Sequence, residues 1–181
     1  LFVSGQLFAQ KLSVQNLKCD YRINPLGVQQ TSPSLSWQLI STEKNVQQTT
    51  YQILVADDSS LLKNNISNVW NSKQTKSSSS IQVHYAGKQL QSAKKYYWKV
   101  IVTDNKGNKA ISEINYWQMG LLNPKDWQSA KWIAYDELPD SNKIIPHVHQ
   151  SGKKAWGKRP DILPLLRKEF ITTKTIKSAT A

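Results

Sequence analysis

Between residues 12 and 119, large apolar side chains recur at every second position, in short runs cut by clusters of Gly, Pro, Asn, Asp and Ser. Leu17, Cys19 and Tyr21 alternate with Lys18 and Asp20, and Leu35, Trp37 and Leu39 alternate with Ser36 and Gln38. Tyr51, Ile53 and Val55 form another such face, as do Ile81, Val83 and Tyr85. The strongest run is Tyr96, Trp98, Val100 and Val102, closed by the turn residues Asp104, Asn105, Gly107 and Asn108. Successive side chains of a strand point to opposite faces, so this period gives each strand one apolar and one wet face. With a short pair at Val69 and Trp70 and a last strand over 111–119, the pattern predicts about seven strands in about 105 residues. Only 59–62 suggests a helical turn.

Strands of this kind bury their apolar faces by stacking two sheets, so the chain is predicted to be an all-β sandwich. Trp37, Trp98 and Trp117 fall at inward positions and are expected to fill its core. Truncating Trp37 or Trp98 should cost about 3–5 kcal/mol. A buried indole N–H also needs an acceptor. Cys19, the single cysteine of the 181 residues, reads as a core thiol; with no second cysteine there is no intrachain disulfide and no Cys-rich zinc site.

Composition narrows the partners. The net charge is +12, but Lys and Arg are spread along the whole chain without a nucleic-acid-binding signature, so a basic surface is expected rather than specific nucleic-acid recognition. No apolar run reaches the roughly 18–20 residues of a membrane-spanning helix. The first ten residues pair apolar Leu1, Phe2, Val3, Leu7 and Phe8 with small Ala9, which suits the remnant of a signal peptide and hence an exported protein.

The pattern changes after Gly120. Residues 11–121 are assigned to the sandwich and 122–164 to a linker with a long basic loop. Alternation resumes over 165–179, and 165–181 is read as the first strands of a second β domain. Trp127 and Trp132 are expected to pack the junction between the two. In the loop, Trp156 lies between Lys153, Lys154, Lys158 and Arg159. Trp156 and Arg159 are therefore the candidate substrate contacts, since an exposed ring can stack on a sugar.

Other chemistry is weaker. The neighbours Asp57–Asp58 and Asp136–Glu137 would point to opposite faces of a strand and so make no acid/base dyad. His147 and His149 would share a strand face, but a third metal ligand is not evident, so no metal is expected. His84 reads as a surface strand residue. The run Ser77 to Ser80 lacks the base and elbow of a nucleophile and reads as a loop.

The segments CDYRINPLGV (19–28), SPSLSWQL (32–39), QTTYQILVA (48–56), VWNS (69–72), YYWKVIVTDNKGN (96–108), WQMGLL (117–122) and LRKEF (166–170) resemble the N-terminal region of bacterial α-L-rhamnosidases of glycoside hydrolase family 78. The resemblance runs from about residue 12 to 181, and the first two segments carry most of its specificity. It departs from the family at Asn71 and Lys73, where an acidic residue and a Gly are usual.

The resemblance implies a fibronectin type III-like (immunoglobulin-like) sandwich followed by the start of a jelly-roll-like domain. It also implies an active site much further along, in an α/α-barrel. There one carboxylic acid would protonate the leaving oxygen and a second carboxylate, roughly 6.5–9.5 Å away, would activate water with inversion. No residue here matches the catalytic motif, so no catalytic residue and no cofactor is assigned. The implied partners are other domains of the same polypeptide and, for the parent enzyme, glycans bearing rhamnose. The alternative is a stand-alone fibronectin-like carbohydrate-binding or adhesion module.

Overall fold

The computed structural model describes residues 12–131, 133, 166–169 and 171–176. The chain divides into two units, Leu1–Gln128 and Ser129–Ala181. The first holds nine strands among the described residues: β1 (Leu12–Cys19), β2 (Ser34–Ser41), β3 (Gln48–Ala56), β4 (Trp70–Asn71), β5 (Thr75–Lys76), β6 (Val83–His84), β7 (Lys95–Asp104), β8 (Lys109–Ile111) and β9 (Asn115–Gln118). One sheet has the order β1-β2-β6. The other has β4-β3-β7-β8, with β5 also on β3 and β9 also on β7. All of these pairings are antiparallel. This is the expected all-β, fibronectin type III-like (immunoglobulin-like) sandwich.

One apolar cluster lies between the sheets. Leu12, Val14, Leu17, Cys19, Leu35 and Trp37 come from the first sheet, and Ile53, Val55, Tyr96, Trp98, Val100, Val102, Ala110 and Trp117 from the second. The three predicted tryptophan plugs are each at most 1% exposed. The Trp37 indole donates to Gln48 Oε1 at 2.9 Å, which supplies the acceptor that its burial demands. Edge contacts link Trp70 to Tyr85 and Tyr85 to Trp117, with centroids 5.2 and 6.0 Å apart. Gly87 lets the chain pass this group, because a Cβ there would stand 2.5 Å from both Trp70 Cβ and the Tyr85 hydroxyl.

Two bulges reset which positions face inward. In β1 the register slips between Gln15 and Lys18, where Asn16 takes a left-handed φ of 52°. Leu12 and Val14 are inward before it, Leu17 and Cys19 after it. In β3 the register slips between Gln48 and Thr50, which turns Gln48 into the core beside Trp37.

The outer face of the second sheet is also covered. A short helix, α1 (Ser59–Lys63), is capped by Asp58, whose carboxylate accepts from Ser60 N–H. Leu62 packs on Leu54 and Ala56 of β3, with Leu61, Tyr97, Ile101 and Ile114 around them. β3 is therefore buried on both faces from Ile53 to Ala56, which explains its continuous apolar run. Lys99 shares this outer face, directly across from Leu54, and is only 5% exposed.

The helical turn suggested at 59–62 is present as α1. Other expectations are corrected. The predicted strand over 111–119 is two strands, separated where Ser112 Oγ accepts from Val100 N–H and donates to Glu113 O. Ile81, predicted inward, is exposed, because β6 spans only Val83–His84 and left-handed Gln82 breaks the strand before it. Tyr21 is exposed because β1 ends at Cys19 in a tight turn. Trp127 ends a 3-10 turn (Pro124–Trp127) and is half-exposed, and its expected place at a junction is not tested by the described residues. Trp132 lies outside the described residues, as does the expected signal remnant at 1–10. In the second unit the described residues 166–169 and 171–176 adopt no strand, and the rest of the expected 165–181 stretch lies outside the described residues.

Candidate functional site

The described aspartates hold turns, caps and one ion pair. Asp20 accepts from the Ser34 N–H at 2.8 Å and from its hydroxyl at 3.1 Å. Asp57 is held below the usual carboxylate range by the Asn68 amide and then by Lys94, whose Nζ lies 2.9 Å away. Ser60 hydrogen bonds hold Asp58 low. Burial pushes Asp104 upward, but the Asn108 side chain and the backbone N–H groups of Asn108 and Lys106 outweigh it and leave the group lowered. Asp126 is lowered by the Ser92 hydroxyl and then by Asn123. A glycosidic general acid needs the opposite shift, towards neutral pH. Asp57 and Asp58 also look to different partners, so they form no dyad.

The remaining sequence candidates are placed as follows. Among the described residues no group of three His, Cys, Asp or Glu side chains could hold a metal. Cys19 is buried, and burial, with Asp20 beside it, pushes its thiol far up and keeps it protonated. His84 is exposed on β6, as expected. The serine run is a strap: the carbonyls of Ser77 and Ser79 accept from Gln48 Nε2, and that of Ser80 accepts from Trp37 N–H. Trp156, Arg159, His147, His149, Asp136 and Glu137 lie outside the described residues.

The feature best built for recognition is the loop over 20–28. Cys19 and Arg22 exchange backbone hydrogen bonds at 2.9 and 3.1 Å, which turns the chain sharply out of β1. Asp20, Tyr21, Asn24 and Gly27 all have positive φ, at 45°, 65°, 49° and 71°. The near end is tied to the first sheet through Asp20 and Ser34. The far end is tied to the second. Asn24 Oδ1 accepts from Tyr116 N–H at 3.0 Å, Pro25 O accepts from Gln118 N–H at 2.9 Å, and Val28 N–H donates to Gln118 O at 3.0 Å. Pro25 and Val28 are buried, whereas Tyr21, Ile23 and Leu26 are 64%, 59% and 67% exposed. The Tyr21 hydroxyl also meets the Gln82 amide, next to exposed Ile81. This arrangement presents apolar side chains on a backbone held from both sheets.

The exit from the sandwich is fixed in the same manner. Leu122 N–H donates to Ser92 Oγ at 3.0 Å, Ser92 donates to Asp126, and Ala93 N–H donates to Gly120 O at 3.0 Å. In the sequence this exit shows only as the change of pattern after Gly120. Only Asn24, Pro25 and Gly27 signalled a defined turn.

A family model described as the Rha78A-like, N-terminal immunoglobulin domain matches residues 14–123, more than half of the chain. The chain belongs to this family. Over 130 residues this Rha78A-like domain is 37% identical to an alpha-L-rhamnosidase of Formosa agariphila, a match covering 71% of this chain and 14% of that protein. The solved alpha-L-rhamnosidase of Streptomyces avermitilis, complexed with L-rhamnose, aligns at 35% identity with a TM-score of 0.64, over 68% of this chain and 12% of that one. That of Dictyoglumus thermophilum aligns at 37% identity with a TM-score of 0.61, over 64% and 13%. The chain thus spans 12–14% of the length of the relatives it matches.

Proposed function

We propose that this chain is the N-terminal accessory module of an exported α-L-rhamnosidase. Its work is structural: it packs against and positions neighbouring domains. Hydrolysis of terminal α-L-rhamnose, by an inverting pair of carboxylates, belongs to a part of the parent polypeptide outside this segment. The observation that carries the reading is the family match over 14–123, with its relatives all alpha-L-rhamnosidases of which the matched part is a small fraction. The commitment of Asp20, Asp57, Asp58, Asp104 and Asp126 to caps, turns and one ion pair supports a non-catalytic role. Trp156 and Arg159 remain the proposed saccharide contacts of the segment.

The test uses an aryl α-L-rhamnoside with the parent polypeptide and with the 181-residue chain in parallel. Turnover by the parent and a blank rate for the chain are expected. Turnover by the chain would overturn the accessory reading, and an inactive parent would overturn the rhamnosidase reading. Proton NMR of the first product formed, showing an inverted anomeric centre, checks the mechanism. Culture fractionation with an antibody to the module checks export; a wholly cytoplasmic protein would defeat that part.

A further inference from the structure

We infer that the 20–27 loop, with Tyr21, Ile23 and Leu26 at its crest, is the surface on which the large remainder of the parent polypeptide docks. This rests on the reading above that the chain is a module of a longer enzyme. Single exposed apolar residues are ordinary, and Ile40, Ile66 and Ile111 are of that kind. Here three large apolar side chains, all more than half exposed, fall within six residues. Ile81 adjoins them through the contact between Tyr21 and Gln82.

The backbone of the loop is held in place. Asp20, Tyr21 and Asn24 adopt left-handed φ values that cost free energy for any residue with a Cβ, above all for a bulky one such as Tyr21. Such conformations persist only where their surroundings over-determine them, and they concentrate at functional surfaces. The hydrogen bonds of Asp20 to Ser34 and of Asn24, Pro25 and Val28 to β9 supply that hold from both sheets. The loop is thereby ordered before any partner arrives, so docking spends little on ordering it.

Patch size selects the occupant. A few side chains cover far less than the roughly 1,200–2,000 Å² that a stable interface between separate proteins buries. A tethered partner needs much less contact, because linkage raises its effective concentration to the millimolar range. Of the possible occupants, a covalently attached body asks least contact of this patch. The matching relatives carry such a body, since the aligned part is only 12–14% of their length.

Hydroxyl-radical footprinting of the parent polypeptide and of the 181-residue chain tests the assignment. Labelling of Tyr21, Ile23 and Leu26 should fall by about fivefold or more in the parent, as for residues in an interface core that excludes water, while Ile40 and Ile111 serve as references. Equal labelling in the two proteins would overturn the proposal. So would protection in the parent that vanishes on dilution, which would mean a second copy. In the parent, the double variant Ile23→Asp with Leu26→Asp should restore Tyr21 labelling to the level of the short chain; continued protection would count against docking. The rhamnoside assay on the same parent sample separates the two readings. An active parent with an unprotected loop defeats the docking surface alone, and an inactive parent with a protected loop defeats the enzyme reading alone.

Discussion

Replacing Gln48 by Leu should remove the polar centre of the first sheet–strap contact while leaving the packing volume nearly intact. Gln48 is 6% exposed and makes three hydrogen bonds: it accepts from the Trp37 indole at 2.9 Å and donates to Ser77 O at 3.1 Å and Ser79 O at 2.8 Å. Leu cannot accept, so the indole N–H of a 1%-exposed Trp37 is stranded in an apolar core. That should cost about 1–3 kcal/mol. The two serine carbonyls lie in a partly exposed strap where water can replace the amide, which adds about 0–1 kcal/mol each. Together these give about 1–5 kcal/mol, or a midpoint lowered on the order of 10 °C for a domain of this size. Urea unfolding of the 181-residue chain followed by tryptophan fluorescence reads this as a lower midpoint at constant slope. Trp37→Phe alone should also destabilise, through lost volume and an orphaned Gln48 oxygen. Because the double variant has neither orphan, its loss should fall short of the sum of the singles by about 1 kcal/mol or more. Additivity of the two changes, or a loss below about 0.5 kcal/mol for Gln48→Leu, would refute the claim that this hydrogen bond matters to the fold.

Three further outcomes are expected. Burial depresses the Lys99 ammonium below its ordinary value of 10.5, so the unfolded chain holds that proton more tightly and stability rises as pH climbs through the folded value. Lys99→Met should therefore stabilise at pH 7, with the gain shrinking as pH rises towards 10.5; urea midpoints at neutral and alkaline pH check it. Asp57, Asp58, Asp104 and Asp126 are lowered from 3.8, so their contribution is fully present above that value and is lost as pH falls through their folded values. Urea midpoints should be flat above about pH 5 and drop below about pH 4, and Asp104→Asn should shrink the drop. Cys19, buried with its thiol pushed up, should resist a thiol reagent in the native chain and react with it in denaturant; rapid native labelling would show that β1 opens.

The sandwich was legible wherever alternation runs unbroken through a paired strand. β7 is the best case, since Tyr96, Trp98, Val100 and Val102 are all buried and their register against β3 is continuous from Ala56 to Thr50. Alternation misled at strand ends and bulges. Tyr21 continues the parity of Leu17 and Cys19, yet the turn between Cys19 and Arg22 carries it to the surface. Ile81 continues the parity of Val83, but left-handed Gln82 interrupts it. Gln48 shows the reverse case. Counting back from Tyr51 by twos puts it on the wet face, and the bulge before Thr50 turns it inward. A polar residue that one inserted position drives into the core leaves no trace in a hydrophobicity pattern.

The candidate surface was spelled out in the sequence but not interpretable there. Asn24, Pro25 and Gly27 mark a turn. Tyr21, Ile23 and Leu26 look like ordinary strand or turn residues until burial is known. What makes them a surface is the pair of anchors, and both anchors are long-range. Ser34 is 14 residues from Asp20 and Tyr116 is 92 residues from Asn24. No local pattern encodes a carboxamide oxygen reaching a backbone N–H on a strand of the other sheet. The same anchors explain why the loop can expose apolar side chains without collapsing onto the core. Pro25 and Val28 already fill the buried positions beneath it, and the hydrogen bonds to Gln118 fix the backbone that carries Ile23 and Leu26 outward. Cutting the Asn24 anchor should therefore disturb the loop before it disturbs the sandwich. Asn24→Ala removes the acceptor of Tyr116 N–H and places a β-carbon residue without a carboxamide at a φ of 49°. Amide exchange over 20–28 should accelerate, while β7, held by pairing on both sides, keeps its protection. Acceleration of both segments together would mean that the loop and the core open as one unit, and that the anchors serve the fold rather than the surface.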